Sequence, residues 1–258
     1  MNLLRELYAY REMINSLVKK DLRGRYKGSI LGFLWTFINP LMQLAVYTIV
    51  FSVIMRAGID KFYIFLFVAL VPWIFFSSAI TGGSMSILNQ NDMVKKIYFP
   101  RQILPIAYVT SSFVNMMFCF VIIFVALIFS GIGINFKALL YLPIIMLIEY
   151  VLALGIALLT SALTVYFRDL EHILGIVTMA WMYLTPIMYP VEMVPEQFLT
   201  IFNANPMTPV IIAYRDILYY SREPHLNTLL HAAVLGGLTL LLGNIVFSRL
   251  QKGFVEEL

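Results

Sequence analysis

The stretch FYIFLFVALVPWIFFSSAITGGSMSIL, residues 62–88, contains no charged side chain and decides the class of fold. A helix needs about 20 mainly apolar residues to cross the ~30 Å hydrocarbon core of a bilayer, and this stretch is long enough. Its apolar residues do not alternate with polar ones, which excludes a membrane β-strand. The sequence therefore predicts a transmembrane helix here.

The composition of the whole chain agrees with a membrane protein. Hydrophobic residues make up 61% of the chain and charged residues 12%, whereas soluble domains average about 45–50% and about 25%. Six apolar runs are long enough to be spans, so we predict an all-α integral membrane protein with six transmembrane helices. The predicted spans are residues 29–55, 62–88, 103–130, 139–167, 173–189 and 226–248. The fifth is short, and Thr185-Pro186 predicts that it bends or stops before the far surface.

The distribution of basic residues predicts the orientation of these helices. If the six spans are correct, 13 of the 18 Lys and Arg residues lie on the side that carries both termini. Because cytoplasmic loops are enriched in Lys and Arg, we predict that both termini are cytoplasmic. The net charge of +4 reflects this topology and does not indicate nucleic acid binding.

The extramembrane segments are too short for a catalytic domain. No G-x-x-x-x-G-K-[ST] sequence occurs, and the chain contains no Gly-Lys dipeptide, so it cannot bind a nucleotide phosphate through a P-loop. The three histidines and the single cysteine, Cys119, are scattered and show no metal-ligand spacing. We therefore predict no catalytic residues, no metal site and no cofactor in this chain.

Residues 1–28 predict an amphipathic helix on the cytoplasmic side. Its apolar residues recur three or four positions apart, at Leu3, Leu7, Tyr10, Ile14 and Leu17. With its basic flank, this segment is typical of a helix that lies at the membrane surface. A simple positive-inside anchor without a further role is the alternative.

The start of the first span contains features that shape helix packing. Gly24, Gly28 and Gly32 recur every four residues and would give one smooth helix face for close approach. Asn39-Pro40 predicts a kink, because the proline removes one backbone hydrogen bond. The features fit internal packing and a subunit interface about equally well.

Residues 89–101 predict a short cytoplasmic helix that ends before Pro100. Met93, Val94, Ile97 and Tyr98 would share one apolar face, with the lysines off it. Such an exposed apolar face favours the membrane surface or a protein partner, and the residues alone do not choose between them.

Glu149 is the one acidic residue within a predicted span. An ionisable group in the membrane is a functional-site hypothesis by default. Ion coupling usually requires several such groups, so a carboxyl group that forms a hydrogen bond between helices is the simpler interpretation.

Residues 191–225 are too apolar for a free loop and contain four prolines. They predict two short helices, about 195–202 and 209–220, the second capped by Thr208 with Pro209 in its first turn. Neither is long enough to span the membrane. They would enter the membrane from the outer face as a gate, or cover that face without gating.

Aromatic residues make up 15% of the chain. Most are expected at the membrane interfaces, and some could line a pathway by stacking on sugar rings. The candidates for a pathway are Trp35, Trp73, Trp181, Tyr183 and Tyr189.

Several short motifs occur in a characteristic order along the chain. They are Arg25-Tyr26-Lys27 with Leu31-Gly32, Trp35 and Pro40; Tyr98-Phe99-Pro100-Arg101 with Pro105; Tyr166-Phe167-Arg168-Asp169-Leu170; Thr185-Pro186-Ile187; and Asn205-Pro206 followed by Arg215. In these motifs the whole chain resembles the permease subunits of ABC exporters for polysaccharides, the O-antigen, capsule and teichoic acid types of the ABC-2 group. Each motif alone is weak, and the set together is specific to the group.

The resemblance implies a single permease domain over residues 1–258 of a bacterial inner-membrane protein. Two permeases and two separate ABC ATPase subunits would form the transporter, with ATP and Mg bound by the ATPases. The segment 89–101 would contain the coupling helix that docks on the ATPase, and 191–225 the periplasmic gate helices. The coupling residues would be Asp92, Met93, Val94, Lys95, Lys96 and Ile97.

The resemblance also implies a substrate, a glycan on a lipid carrier such as undecaprenyl diphosphate, which would move between two copies of the chain. Arg23, Arg25 and Lys27 lie at the cytoplasmic entrance and could meet the diphosphate. An ABC-2 permease for another lipid or a drug is the alternative within this class. An ion-coupled transporter and a membrane-embedded transferase are further alternatives, which ATP dependence would distinguish.

Overall fold

The computed structural model describes residues 3–25 and 27–258, with side chains from residue 5 onward; Tyr26 of the first motif and the side chain of Leu3 lie outside this description. The described residues form helices and no strand, which confirms the predicted all-α class. The α-helices are α1 Leu3–Ala9, α2 Arg11–Gly24, α3 Trp35–Thr48, α4 Phe62–Ser84, α5 Asn91–Lys96, α6 Ile103–Ser130, α7 Phe136–Leu139, α8 Leu142–Tyr166, α9 Leu170–Tyr183, α10 Leu199–Ala204, α11 Met207–Leu218, α12 Leu226–Leu250 and α13 Phe254–Glu257.

Five helical stretches of the described chain are long and apolar enough to cross a membrane. They are Gly32–Ile54, Phe62–Ser84, Ile103–Ser130, Phe136–Tyr166 and Leu226–Glu257. They match five of the six predicted spans. The remaining one, 173–189, contains α9, which has 14 residues and is about 21 Å long at ~1.5 Å per residue. The helix ends at Tyr183, just before Thr185-Pro186, so α9 alone is shorter than the hydrocarbon core.

Helix α4 lies at the centre of the bundle. It is apolar on every side, and its residues 64–70 are each at most 1% exposed. A helix that is hydrophobic all round belongs inside a protein, and α4 packs against α3, α6, α8, α9 and α11. The stretch that predicts the membrane class therefore forms the core.

Helices α8 and α12 approach each other through bare backbone. A Cβ atom added to Gly155 would lie 2.5 Å from the backbone nitrogen of Leu240, and one added to Gly243 would overlap the carbonyl oxygen of Gly155. Only glycine allows this approach, which is the way small residues bring membrane helices together.

The proline in α3 leaves the carbonyl group of Thr36 without its helical donor, because Pro40 has no N–H. The thiol of Cys119 on α6 donates to this carbonyl oxygen at 3.4 Å. A neighbouring helix thus satisfies the group that the proline frees, as the membrane interior requires.

The three glycines at the start of the first span do not form the predicted smooth helix face. Gly28 and Gly32 have φ values of +84° and +48°, and no atom lies within 4 Å of a Cβ added to Gly24, Gly28 or Gly32. The prediction was wrong because α2 ends at Gly24 and the chain turns before α3 begins.

Both described ends of the chain lie at the end of the bundle that carries the 89–101 segment. Lys20 Nζ on α2 donates to Gln90 Oε1 at 3.3 Å, and Asn91 Nδ2 donates to the carbonyl oxygen of Leu258 at 3.3 Å. We call this the inner end of the molecule.

The opposite, outer end brings together the loops that precede α4 and α7 and the residues that follow α11. The Tyr219 hydroxyl donates to the carbonyl oxygen of Asp60 at 2.6 Å. Asn135 Nδ2 donates to the carbonyl oxygen of Ser221 at 3.1 Å. Helices α10 and α11 therefore belong to the outer end.

Candidate functional sites at the two ends of the bundle

The 89–101 segment forms a short helix at the inner end, as predicted. In α5, Val94 is 3% exposed and packs in an apolar cluster with Ile103 and Phe254. Asp92 and Lys96 form an ion pair of 3.4 Å on the opposite, exposed side. Val94 therefore anchors the helix, and its charged side is open to a partner.

The predicted apolar face of this helix is divided. Helix α5 ends at Lys96, and Ile97 has extended backbone angles, with φ −127° and ψ 136°. Ile97 and Tyr98 are 57% and 94% exposed, whereas Val94 points inward. The prediction of one face from Met93 to Tyr98 was wrong because the helix is too short to reach Ile97 and Tyr98.

The residues after Tyr98 rest on the C-terminal part of the chain. The Arg101 guanidinium donates to the carbonyl oxygen of Gln251 and lies 5.9 Å from the ring centre of Phe254. Gln102 Nε2 donates to Asn244 Oδ1 on α12 at 3.0 Å. The residues that precede α6 are thus hydrogen-bonded to α12 and to the residue that follows it.

The amphipathic N-terminal segment is present as α1 and α2, and it contacts protein. Leu7, Tyr10, Ile14 and Leu17 pack against the same inner apolar cluster as Val94. The spacing of these apolar residues, three or four positions apart, therefore identifies the face that α1 and α2 turn toward the bundle.

Of the three basic residues predicted at the entrance, Arg25 alone turns inward. Its Nε donates to Asp21 Oδ2 at 2.9 Å, and its Nη2 donates to the hydroxyls of Ser111 and Ser112 on α6 at 3.2 and 2.8 Å. Arg23 and Lys27 are exposed.

A cavity of about 170 Å³ lies beside Arg25, between α3, α4 and α6. Its polar lining includes Asn39, Ser78 and Ser112, and also Thr36, whose buried hydroxyl has no hydrogen-bond partner in the described part of the chain. This cavity offers a cation, hydroxyls and an amide to a ligand near the inner membrane surface.

At the outer end, Asn205 connects the end of α9 to the start of α11. Its Oδ1 accepts from Trp181 Nε1 at 2.9 Å and from the backbone N–H of Met207 at 3.0 Å. Its Nδ2 donates to the Leu184 carbonyl oxygen at 3.1 Å and to Thr185 Oγ1 at 2.9 Å. All four hydrogen-bonding positions of the amide are used.

The two short helices predicted in 191–225 are present as α10 and α11, with different starts. Helix α11 begins at Met207, and the prediction that Thr208 caps it was wrong. Asn205 accepts from the first N–H of the helix instead, and the Thr208 hydroxyl has no partner among the described residues.

Arg215 holds the loop after α9 against α11. It is 3% exposed, and it donates to the carbonyl oxygens of Ile187 and Tyr189 at 2.5 and 3.1 Å. Its guanidinium carbon lies 3.6 Å from the ring centre of Phe65 on α4. Burial lowers the pKa of Arg215 to about 9, so the side chain remains cationic at neutral pH.

Next to it, Asp216 is 1% exposed and accepts from Arg222 at 2.6 Å. Burial raises the pKa of Asp216, and the Arg222 guanidinium opposes this rise.

Glu149 is fully buried on α8, and its partner is on α11. The Tyr214 hydroxyl donates to Glu149 Oε2 at 2.6 Å. Glu149 Oε1 has no hydrogen-bond partner among the described residues. The interpretation of Glu149 as a hydrogen-bonded carboxyl group between helices agrees with this contact.

The five aromatic pathway candidates do not form one cluster. Trp73 is 4% exposed in the core and, like Trp181, packs against Phe76, with ring centres 5.6 and 5.2 Å away. The Tyr189 hydroxyl donates to the Tyr183 carbonyl oxygen at 2.6 Å.

Trp35 lies apart from these four, near Arg25, and its Nε1 donates to Ser29 Oγ at 2.9 Å. Tyr183 is 57% exposed.

Asn205 and Arg215 belong to the sequence motifs, but no role was predicted for them. Tyr214 and Gln102 were not predicted as site residues, although each lies next to a motif residue.

Comparison with known proteins identifies the class to which this architecture belongs. Residues 12–219 match the ABC-2 type transporter family. The chain is therefore a member of the ABC-2 type transporter family and a multi-pass membrane protein, and this family implies partnership with an ABC ATPase subunit.

Several relatives are similar over nearly their whole length. The O-antigen export system permease protein RfbA of Myxococcus xanthus is 34% identical over 260 residues, which covers 100% of both chains. A protein of the same name from Klebsiella pneumoniae is 30% identical over 96% of this chain and 95% of its own. The polysialic acid transport protein KpsM of Escherichia coli is 24% identical over 84% of this chain and 86% of its own.

Proposed function

We propose that this chain is the transmembrane subunit of an ATP-driven exporter that moves a lipid-linked polysaccharide from the cytoplasm to the outer side of the bacterial inner membrane. The observation that carries the proposal is the full-length similarity to a protein named as an O-antigen export permease, at 34% identity. On this proposal, residues 1–258 form one permease domain.

The complex contains two copies of this chain and two ATPase subunits, which bind ATP and Mg. The absence of any Gly-Lys dipeptide supports a separate ATPase. The ATPase docks on the exposed side of residues 92–97 and on the N-terminal helices. A groove lined by Glu6, Tyr10, Tyr98, Arg101 and Lys252 joins these two surfaces and supports this assignment.

The chain crosses the membrane six times, with both termini in the cytoplasm. The location of α2 and Leu258 at the inner end supports an even number of crossings. Because α8 ends at the inner end and α12 begins at the outer end, the chain must cross between them. Helix α9 makes most of this crossing, and residues 184–190 complete it.

The polysaccharide passes between the two copies, along α3 and α9. Helix α9 is buried in this chain through Leu174, Thr178 and Met182, which lie on one side of the helix. Its other sides, with Ile176, Met179 and Tyr183, are exposed, and α3 buries only Thr36 and Pro40. Aromatic residues near these helices, such as Trp35 and Tyr183, stack on sugar rings.

The diphosphate of a carrier such as undecaprenyl diphosphate meets Arg25 at the cavity under α2, with Arg23 and Lys27 as outer attracting charges. The polar lining of the cavity supports this site. At the outer end, α10 and α11 re-enter the membrane and act as the gate. Neutralising the three basic residues together should reduce export strongly, and unimpaired export would remove this assignment.

The function is tested by deleting the gene in its native host and restoring it on a plasmid. We expect loss of surface polysaccharide and accumulation of the lipid-linked glycan inside the cell, both reversed by the plasmid. Normal surface polysaccharide in the deletion strain would overturn the proposal. A partner ATPase with its catalytic glutamate changed to glutamine should reproduce the deletion.

The partner is tested with a photo-crosslinking amino acid at Tyr98, which is 94% exposed at the inner end. The matched control position is Phe136, which is 79% exposed at the outer end. We expect an ABC ATPase in the adduct at position 98 and not at position 136. Adducts with lipid alone at position 98 would contradict the docking assignment.

A further inference from the structure

We propose that Glu149 is a positioning residue for α11: the hydrogen bond from Tyr214 holds α11 closed against α8, and it breaks when α11 moves. This inference goes beyond the transport function proposed above and does not depend on which substrate is carried.

The contact is well suited to hold one element against another. Glu149 and Tyr214 are both 0% exposed, and their oxygens are 2.6 Å apart. Buried away from water, a hydrogen bond is strong, and a carboxyl oxygen that loses its partner is costly. The pair therefore favours one position of α11 over displaced ones.

The other hydrogen bonds of α11 lead elsewhere. Arg215 binds the carbonyl groups of the loop after α9, Asp216 binds Arg222, and Tyr219, just after α11, binds the loop before α4. Among the described residues, Tyr214 alone forms a side-chain hydrogen bond from α11 to a spanning helix. Breaking this bond removes the polar link between α11 and α8, while Arg215 keeps its contact with Phe65 on α4.

A purely structural contact would not require a polar pair at this position. Burying polar groups costs free energy, and replacing both partners of a hydrogen bond by apolar groups of the same shape can be nearly neutral. Glu149 also has an unpartnered oxygen, Oε1, so the pair is incompletely satisfied. This combination favours a contact that is made and broken over one that is permanent.

The experiment measures how often α11 opens. Ala213 on α11 is 0% exposed, and Ala213→Cys places a thiol there with little added volume. Cys119→Ser removes the native thiol and retains a hydrogen-bond donor for Thr36. The complete complex with its ATPase is kept in membranes and treated from the outer side with a membrane-impermeant maleimide.

We expect Tyr214→Phe and Glu149→Leu each to increase the labelling rate about tenfold, the population shift that one lost buried hydrogen bond produces. Glu149→Gln retains an acceptor oxygen for Tyr214 and should label at the parent rate. The double variant Tyr214→Phe/Glu149→Leu should label no faster than either single variant, because both remove the same bond.

The matched control is Tyr150→Phe. Tyr150 is the next residue on α8, and its hydroxyl forms a 2.8 Å hydrogen bond with Thr110 on α6, away from α11. It should label at the parent rate. The proposal is overturned if Tyr214→Phe labels at the parent rate, if Tyr150→Phe accelerates labelling equally, or if Glu149→Gln behaves like Glu149→Leu. Co-purification of the ATPase shows that each variant is assembled.

Discussion

Helix α8 takes part in two contacts that are built in opposite ways. Toward α12 it presents the bare backbone of Gly155, which meets Gly243. Toward α11 it presents the carboxyl group of Glu149, which accepts one hydrogen bond from Tyr214. The backbone contact between Gly155 and Gly243 cannot adjust to a displacement, whereas the single hydrogen bond between Glu149 and Tyr214 can be formed or broken. On the proposal made above, α8 and α12 form a fixed frame and α11 is the element that moves against it.

The strongest test of the fixed contact is Gly243→Ala. The added methyl group would overlap the carbonyl oxygen of Gly155 and lie 3.3 Å from its Cα atom. Because backbone atoms cannot rotate away, we expect more than the about 1–3 kcal/mol typical of overpacking, and therefore loss of folded protein. Size-exclusion chromatography after detergent extraction would measure the remaining monodisperse fraction.

Gly237→Ala on the same helix is the control, since no atom lies within 4 Å of its added Cβ. It should leave the monodisperse fraction unchanged. Equal losses from both substitutions would mean that α12 is sensitive to any added methyl group. The close backbone contact at Gly243 would then not explain the loss of folded protein.

The outer, movable region is tested by Asn205→Ala. The substitution removes four hydrogen bonds between the end of α9, the following loop and α11. At about 0.5–1.5 kcal/mol each, we expect a loss of roughly 2–6 kcal/mol in the stability of the outer end. Limited proteolysis from the outer side should cut within 184–206 faster than in the parent.

Asn203→Ala provides the matched control, because Asn203 is exposed on α10. We expect its proteolysis pattern to equal that of the parent. If Asn205→Ala shows the parent pattern as well, the amide does not hold the outer end together.

A third variant tests a single polar contact between α6 and α3. Cys119→Ala leaves the Thr36 carbonyl oxygen without its donor from α6. The thiol is a weak donor, so we expect a loss of about 0.5–1 kcal/mol, seen as a small decrease in Tm. Cys119→Ser restores a donor and should have the parent Tm. A lower Tm for serine than for alanine would show that the site depends on apolar packing.

The smallest effect is expected at the inner surface. Lys96→Ala breaks the ion pair with Asp92, in which both side chains are largely exposed. Such pairs contribute little because water and salt screen them, so the Tm should not change. Lys95→Ala removes an adjacent exposed lysine that is outside the ion pair. It is the comparison variant for Lys96→Ala when the ATPase activity of the complex is measured. A clear decrease in Tm for Lys96→Ala alone would show that this exposed pair contributes to the stability of the fold.

The sequence predicted the spanning helices well because hydrophobic length is a local property. Five of the six apolar runs correspond to long helices of the structure. The exception, 173–189, ends early at Tyr183, because Leu184 and Thr185 form turns before Pro186. The apolar run continued past the helix end, and the proline was the correct signal for the stop.

Features that depend on backbone conformation or on distant residues could not be predicted from the local sequence. The spacing of Gly24, Gly28 and Gly32 predicted a helix face, but positive φ values at Gly28 and Gly32 are incompatible with it. Glu149 was recognised as unusual, whereas its partner Tyr214 lies far along the chain and is chosen by packing. Gly155 and Gly243 are isolated glycines in two separate spans, and nothing local relates them.

The coupling segment shows an intermediate case. Its helix was predicted to end before Pro100, and the structure contains a short helix there. The direction of Ile97 and Tyr98 was not predictable, because it depends on whether the helix continues for one more turn. Helix α5 ends at Lys96. The coupling role of Asp92–Ile97 and the entrance role of Arg23, Arg25 and Lys27 remain predictions.

The backbone contact between Gly155 and Gly243 also has a consequence for biogenesis. One of its partners belongs to α12, which is synthesised after α8 and α11. Until α12 is inserted, α8 exposes an unfilled groove at Gly155 to lipid. A chain truncated before α12 would therefore present an unassembled surface to membrane proteases.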